Sequence, residues 1–424
     1  MRLEATLAAL LVFGGDSLGG EGDSLETTMY DAALECAGGE VGFGLRIERG
    51  EGRIRAFVLN GEEEIVVPVA VERGDRLRLG FDYFDSEIEA MVHPAGVITG
   101  EWRKRRTNDE WASMHFSATP GGVRTMDFQV MPEWVAGRWR VKFAGESDDA
   151  VAVFGGGDRR DLRGTFLTTT GDYRFLAGVA DAAGLTLSCF DGSHAFLFKA
   201  SRQADGSLKG DFWSGASYHD TWTAVKDAGA VLPDPFGLTR FTGSAAELDA
   251  LEFSDVSGVK RRLGEFGEWK KGEPSERDAS GGAPGRGRAR IIEVFGTWCP
   301  NCLDATRLLS ELDETYRERG LSVVGLAFEV TGDVERDRKQ VALYAARHGV
   351  RYPLLVAGKK DKAEASEKFP VIDRLRAYPT FVFVDGAGVV RGVYTGFSGP
   401  ATGEEHERLR RAFVSKVEEM LGGG

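Results

Sequence analysis

Cys299 and Cys302 form a Cys-x-x-Cys pair within the run Trp-Cys-Pro-Asn-Cys. An apolar run at residues 291–295 predicts a buried strand before the pair, and a helical pattern at residues 303–319 follows it. A cysteine at a helix N-terminus faces unpaired backbone N–H groups and the positive end of the helix dipole, which favours its thiolate. The spacing therefore predicts a redox dithiol whose two sulfurs can close a disulfide.

The number of cysteines bears on the alternatives to redox chemistry. The chain has 4 cysteines, too few for a disulfide scaffold. A zinc site would need two more ligands near the pair, and the sequence has no second Cys-x-x-Cys. We therefore predict neither a metal nor a cofactor. A disulfide between Cys36 and Cys189 is left open, because nothing in the sequence supports or opposes it.

The overall composition describes a globular protein of several domains. Its 424 residues are 42% apolar and 28% charged, which is enough for two to four domains with their own cores. The formal net charge of −13 argues against general nucleic-acid binding. No run of apolar residues is long enough for a transmembrane helix, so we expect no integral membrane segment.

Alternation of apolar and polar residues marks the front half of the chain. Residues 53–59, 75–81, 86–92 and 194–199 each follow a period of two, which predicts half-buried antiparallel strands. Many short strands at even spacing are typical of a sandwich or barrel. Its aromatic residues either fill a core or line a ligand cavity, and we favour the core.

An internal repeat indicates that this half is duplicated. Three landmark pairs recur at offsets of 109 to 111 residues: Phe81-Asp82 with Phe190-Asp191, Gly100-Glu101-Trp102 with Gly210-Asp211-Phe212, and Trp111 with Trp222. A constant offset predicts two β units of roughly a hundred residues each.

Shifts in composition predict the domain boundaries. We expect a leader over residues 1–35, β units over 36–136 and 137–230, a linker over 231–252, and an α/β domain over 253–424 with a flexible insertion at 270–289. The leader has a short apolar run like that of a secretory signal, and a frayed or misassigned start explains it equally well. The insertion is polar and glycine-rich, as mobile loops are.

The back half alternates strands and helices. Predicted strands lie at 291–295, 321–328, 352–356, 380–384 and 389–395, and predicted helices at 303–319, 334–348 and 404–421. This order predicts an α/β domain with a largely parallel centre and an antiparallel hairpin at one edge.

This back-half domain resembles the thioredoxin fold, and more narrowly the TlpA/ResA-like family of extracytoplasmic thiol-disulfide oxidoreductases. The motifs that carry the resemblance are Phe295-Gly-Thr-Trp-Cys-Pro-Asn-Cys302, Val324-Gly-Leu-Ala-Phe-Glu329, Ala377-Tyr-Pro-Thr380 and Val384-Asp-Gly-Ala-Gly-Val-Val390. The match covers roughly two fifths of the chain, and the insertion departs from the family. The expected fold is thus multidomain, with duplicated all-β units before a thioredoxin-like α/β domain.

The resemblance assigns further residues to the site. Pro379 matches the family's cis-proline opposite the cysteine pair, where the backbone of Tyr378 is exposed to pair with substrate. Glu329 ends a predicted strand and would move protons during resolution, unless it is a solvated loop residue. Trp298 is either an apolar shield beside the site or a packing residue.

The motif and the resemblance together predict a thiol-disulfide oxidoreductase. Cys299 would attack a protein or small-molecule disulfide, and Cys302 would resolve the mixed disulfide. The Pro-Asn pair between them lacks a cation, which favours a disulfide reductase supplied by an unidentified upstream reductant. The resemblance also implies an extracytoplasmic location, in the periplasm or at the envelope.

Two alternatives remain. One is a peroxiredoxin-like thiol peroxidase, whose Thr-x-x-Cys spacing Thr297 and Cys299 do not reproduce. The other is a protein that binds a ligand or partner through its β units, with an accessory redox domain.

Overall fold

The computed structural model describes residues 25–50, 52–121, 131–156, 162–268 and 288–422. Most of the predicted leader, residues 1–24, lies outside these ranges, as do residues 270–287 of the predicted insertion. Three sheets account for the strands within the described ranges. We refer to them as the first β unit, the second β unit and the C-terminal domain.

The first β unit is one antiparallel sheet that remains open. Its described strands are β1 (Glu26–Cys36), β2 (Gly39–Gly50), β3 (Arg53–Asn60), β4 (Glu63–Val66), β5 (Val69–Arg73), β6 (Arg76–Phe81), β7 (Ser86–Val92), β8 (Ile98–Arg105) and β9 (Trp111–Pro120). Their order is β4-β3-β2-β1-β9-β8-β7-β6-β5. Strand β1 begins at Glu26, within the range 1–35 that was predicted as a leader. It belongs to the first β unit, because its whole length pairs with β2.

The second β unit closes into a barrel. Its described strands are β10 (Gly137–Phe143), β11 (Ala150–Gly156), β12 (Leu162–Thr168), β13 (Gly171–Asp172), β14 (Leu176–Ala180), β15 (Gly184–Phe190), β16 (Ala195–Arg202), β17 (Leu208–Ser214) and β18 (Tyr218–Lys226). Aromatic rings fill its interior: Phe198 stacks on Phe166 and on Phe212 with centroids 4.3 Å apart in both pairs. The alternating aromatic residues therefore form a core.

The two β units share one strand order, as the internal repeat predicts. The series β5-β6-β7-β8-β9-β1-β2-β3 corresponds to β14-β15-β16-β17-β18-β10-β11-β12. The landmarks fall on equivalent strands, with Phe81 ending β6 and Phe190 ending β15. The units differ in closure, because β12 pairs with β14 whereas no ladder joins β3 to β5 in the described residues. The first unit is thus a half-barrel.

The C-terminal domain is a mixed sheet flanked by helices. Its described strands are β19 (Glu252–Asp255), β20 (Lys260–Arg262), β21 (Ala289–Phe295), β22 (Leu321–Glu329), β23 (Leu354–Lys359), β24 (Thr380–Val384) and β25 (Val390–Thr395). Its helices, numbered from the segment before it, are α1 (Pro235–Leu238), α2 (Ala245–Ala250), α3 (Pro300–Tyr316), α4 (Val334–His348), α5 (Lys362–Lys368) and α6 (Glu404–Leu421).

The central strands β21, β22 and β23 are parallel, and β24 and β25 form the antiparallel hairpin at one edge. All seven residues of β21 are buried, as expected for a parallel strand covered on both faces. The range predicted as a linker contains α1 and α2, and the Phe236 ring packs against Tyr394 of β25 with centroids 5.0 Å apart. Helix α5 was not predicted, because only Ala365 among its residues is buried and the apolar periodicity is weak.

A buried guanidinium joins the three sheets. Arg174 of the second β unit contacts Asp304 on α3 and lies 2.9 Å from Glu63 of the first β unit. Its Nε lies 3.7 Å from Asp191, on the loop that follows β15. Burial alone would lower the pKa of Arg174, but the surrounding carboxylates hold it well above its usual value. One cation thus balances acidic groups from all three parts of the fold.

We predict that Arg174→Met destabilises the protein by roughly 3–5 kcal/mol, because buried carboxylates would lose their counter-charge. Urea unfolding at pH 7 measures this loss. Arg140→Met is the control, since its ion pair with Asp227 (2.5 Å) lies at the surface. Equal effects of the two substitutions would contradict a special role for Arg174.

Candidate functional site

The cysteine pair lies where β21 leads into α3. Cys299 is the N-cap of α3, and its Sγ accepts a hydrogen bond from the Cys302 backbone N–H at 3.3 Å. Pro300 occupies the first helical turn, where a missing N–H is tolerated. Cys299 is 6% exposed and Cys302 is fully buried, and both are free thiols. Cys299 therefore carries the sulfur that a substrate can reach.

The Tyr378-Pro379 segment lies opposite Cys299. The peptide bond between Tyr378 and Pro379 is cis, as the resemblance implies. The Cys299 thiol donates to the Tyr378 carbonyl oxygen over 3.6 Å. Trp298 packs edge-on against the Tyr378 ring, with centroids 5.4 Å apart, and its indole N–H donates to Phe328 O at 2.9 Å. Trp298 is thus anchored by packing and still half-buried at the rim of the site.

Glu329 is buried beside the pair rather than solvated. Its two carboxyl oxygens accept hydrogen bonds from the backbone N–H and the hydroxyl of Thr297, at 2.9 and 2.7 Å. Burial raises the pKa of Glu329 to about 7, although the hydrogen bonds from Thr297 oppose the shift. Glu329 therefore changes protonation near neutral pH, and it is hydrogen-bonded to Thr297, which precedes Cys299 by two residues.

Glu293 is a second acidic residue at the site, and the sequence reasoning assigned it no role. It lies fully buried in the middle of β21, and neither carboxyl oxygen has a hydrogen-bond partner among the described residues. Burial raises the pKa of Glu293 well above its usual value, and the negative charge of Cys299 adds to the shift. The available signal was one acidic residue within an otherwise apolar strand.

The buried thiol of Cys302 holds its proton tightly. Burial raises the pKa of Cys302 well above its usual value, and the hydrogen bond and charge of Cys299 and the charge of Glu293 add to the effect. The two sulfurs therefore differ: Cys299 is slightly exposed at a helix N-terminus, whereas Cys302 needs a proton acceptor before it can react.

The second β unit forms part of the wall around the pair. The Ser193 hydroxyl donates to the Trp298 carbonyl oxygen at 2.7 Å, and the Asn301 side-chain amide donates to Asp172 O at 3.3 Å. A Cβ at position 171 would collide with the Asn301 amide, so Gly171 permits this close approach. The front half therefore belongs structurally to the site.

No metal-ligating cluster of three or more His, Cys, Asp or Glu residues occurs in the described part of the chain. Cys36 and Cys189 are both free, with Cys189 inside the barrel core, so the disulfide left open by the sequence is not formed in this structure. No helix in the described ranges is long and apolar enough to cross a membrane.

Comparison with known proteins concerns the C-terminal domain. The thioredoxin-like protein YneN of Bacillus subtilis strain 168 is 25% identical over 111 residues, which are 26% of this chain and 58% of YneN. The thiol-disulfide oxidoreductase ResA of Geobacillus kaustophilus strain HTA426 is 24% identical over 123 residues, which are 29% of this chain and 62% of ResA. The chain thus spans about three fifths of the length of these relatives. The matched part of the chain is thus similar in sequence to thioredoxin-like proteins and to thiol-disulfide oxidoreductases of the ResA type.

Solved structures align with the same thioredoxin-like domain. A thioredoxin-family thiol:disulfide interchange protein from Chlorobium tepidum TLS is 21% identical, covers 43% of this chain and 97% of its own, and has a TM-score of 0.29. A secreted disulfide oxidoreductase of Mycobacterium tuberculosis is 14% identical, covers 39% of this chain and 98% of its own, and has a TM-score of 0.27. No protein-family model matches the chain.

We predict that the stability of the protein depends on pH through Glu329. Because burial raises its pKa from 4.5 to about 7, its protonated form stabilises the fold fully below about pH 4.5, and this contribution is lost as the pH rises through about 7. Glu329→Gln should therefore become more stable relative to the unsubstituted protein between pH 5 and 8, by roughly 3 kcal/mol.

Urea unfolding at several pH values measures this difference. Glu367→Gln, on an exposed position of α5, is the control and should shift the curve little. A difference between Glu329→Gln and the unsubstituted protein that does not vary with pH would contradict the proposed titration.

Proposed function

We propose that this protein is a thiol-disulfide oxidoreductase that reduces disulfides through a mixed-disulfide intermediate. The observation that carries the proposal is the asymmetry of the pair: Cys299 Sγ is reachable at the N-terminus of α3, and Cys302 is sealed behind it. Its relatives named thiol-disulfide oxidoreductases support the same reaction. That this chain acts on a disulfide substrate and receives electrons from a donor is likewise part of the proposal.

In the proposed reaction, the Cys299 thiolate attacks one sulfur of a substrate disulfide. A bond forms between Cys299 and that sulfur, the substrate S–S bond breaks, and one substrate thiolate leaves. The Cys302 thiolate then attacks Cys299, which releases the second substrate thiolate and leaves the Cys299–Cys302 disulfide. Two electrons pass to the substrate, and a dithiol donor must return them to the pair.

Proton transfer is the role we propose for the two carboxyl groups. Cys302 must lose its proton to attack, and a base with a pKa near 7 serves this purpose at neutral pH. Glu329 has that property, and Glu293 lies within electrostatic reach of both sulfurs. Trp298 and the backbone of Tyr378 and Pro379 would receive the substrate, since they border the slightly exposed Cys299.

The direction and the location complete the proposal. No cationic side chain separates the cysteines, because Pro300 and Asn301 lie between them, and this favours reduction over oxidation of substrates. Reduction outside the cytoplasm would need a reductant delivered to the pair. We propose an extracytoplasmic location on the resemblance to the TlpA/ResA-like family.

We predict that Cys299→Ser abolishes the acceleration of insulin reduction over the rate with dithiothreitol alone, because the attacking sulfur is lost. Cys302→Ser should instead accumulate a mixed disulfide with insulin, because the resolving sulfur is lost, and mass spectrometry would detect it. Cys36→Ser is the control and should keep full turnover. Consumption of hydrogen peroxide without any reduction of insulin would indicate the peroxidase alternative.

We predict opposite effects of Glu293→Leu on stability and on turnover. Leucine removes a buried carboxyl that lacks a hydrogen-bond partner, so the free energy of unfolding should rise by about 1–3 kcal/mol. Resolution of the mixed disulfide should slow about a hundredfold, because a proton-exchanging group is lost. Glu293→Gln is the matched control, since it should slow resolution without the gain in stability. Unchanged resolution in both variants would exclude this role.

A further inference from the structure

We propose that basic side chains around Cys299 make the site selective for disulfides that carry carboxylates next to the S–S bond. The basic rim consists of Lys104, Arg106, Lys360 and Lys362. Two of these residues come from the first β unit and two from the thioredoxin-like domain. The inference rests on the proposed thiol-disulfide exchange and adds its substrate class.

Lys104 links the first β unit to the backbone beside the nucleophile. Its Nζ donates to the carbonyl oxygen and the hydroxyl oxygen of Ser193, at 2.8 and 2.6 Å. The same Ser193 hydroxyl donates to the carbonyl oxygen of Trp298, which precedes Cys299. Burial lowers the pKa of Lys104 to about 8, and Lys360 adds to the effect, whereas the charges of Asp191, Cys299 and Asp85 oppose it. Lys104 is therefore still mostly charged at neutral pH, near both Lys360 and the reactive sulfur.

Lys360 lies close to the indole ring of Trp298, whereas Arg106 interacts electrostatically with Lys360 and Lys362 with Cys299. Lys360 Nζ lies 5.4 Å from the centroid of the Trp298 ring. Burial lowers the pKa of Lys360, and the positive charge of Arg106 lowers it further, whereas the charge of Glu329 opposes the shift. Burial also lowers the pKa of Lys362, and the charges of Glu146 and Cys299 oppose that shift. Lys362 is thus within electrostatic reach of the nucleophile.

The cations of the basic rim lack close counter-ions. No carboxylate oxygen of the described residues lies within 4.0 Å of a charged nitrogen in the rim. Nearby arginines differ, since Arg105 lies 2.9 Å from Asp85 and Arg347 lies 2.6 Å from Asp82. A cluster of cations without such an ion pair is unexpected in a chain with a net charge of −13, and the carboxylates of Asp191, Asp85, Glu329 and Glu146 act on it only from a greater distance. It produces a local positive potential at the mouth of the site, which attracts and orients anionic substrates.

The positive charge of the basic rim would affect two stages of the reaction. These are the encounter with the substrate disulfide and the mixed disulfide that follows. A carboxylate close to the S–S bond would face Lys360 or Lys362 while Cys299 attacks the adjacent sulfur. An ammonium group in the same place would be repelled. Selectivity of this kind falls when salt screens the charges, because the Debye length shortens to about 3 Å at 1 M salt.

The test uses the full chain, reduced and freed of reductant, with three small disulfides that differ in charge. They are 3,3′-dithiodipropionate with two carboxylates, cystamine with two ammonium groups, and neutral bis(2-hydroxyethyl) disulfide. The measured quantity is the second-order rate constant for oxidation of the cysteine pair at pH 7 and low salt. A pair of cystine peptides with either glutamate or lysine beside the disulfide tests a protein source of the same carboxylate chemistry.

We expect the dianionic disulfide to react about tenfold or more faster than the dicationic one, and the ratio to fall at 0.5 M salt. The double variant Lys360→Gln with Lys362→Gln should reduce the ratio several-fold, by lowering the rate with the dianionic disulfide more than the rate with the neutral one. The control variant Lys142→Gln with Lys209→Gln removes the same charge from the second β unit and should keep the ratio. Lys104→Gln tests the contribution of the first β unit separately.

A faster reaction with the anionic member than with the cationic member, in either the small disulfides or the peptides, supports the inference. The set with the larger ratio of rates indicates whether the carboxylate belongs to a small molecule or to a peptide. Equal rates within both sets, or a ratio that the double variant at positions 360 and 362 does not change, would overturn it. These outcomes are distinct from failure of the proposed function, in which the neutral disulfide would not oxidise the pair at all.

Discussion

The structure depends on one buried positive charge, the guanidinium of Arg174. It contacts Asp304 on the helix that begins at the cysteine pair, and it pairs with Glu63 of the first β unit. Removing one partner of a buried ion pair leaves an uncompensated charge in a medium of low polarity, so the three sheets are held in one arrangement. The position of α3, and with it the direction of the Cys299 sulfur, is therefore coupled to the front half of the chain.

This arrangement accounts for the second β unit at the active site. In a domain of this kind, the loop around Cys299 could be open to solvent on all sides. Here the Ser193 hydroxyl donates a hydrogen bond to Trp298 O, before Cys299, and Asp172 O accepts one from the Asn301 side chain, after Cys299. The front half therefore forms part of the wall around the cysteine pair.

Burial shifts the pKa values of the acidic and basic groups at the site in opposite directions, and this difference underlies the proposed chemistry. Glu293 and Glu329 lie behind the pair, where loss of hydration favours their protonated forms. For the lysines of the basic rim, burial lowers the pKa values and so opposes their charged forms. In the proposed chemistry, the carboxyl groups exchange protons with the cysteine pair and the lysines attract anionic substrates. The proposal thus assigns proton transfer to the carboxyl groups and substrate binding to the lysines.

The sequence by itself determined the features that depend on neighbouring residues. The period of two predicted β3, β6, β7 and β16, the repeat predicted two β units with one strand order, and the strand-to-helix junction predicted the dithiol. Only the tertiary structure decided which distant residues surround the pair. Asp304 is 130 residues from Arg174, and the depth of Glu293 depends on both faces of the sheet being covered. Burial and charge proximity are properties of the folded chain, because they arise from contacts that sequence periodicity does not encode.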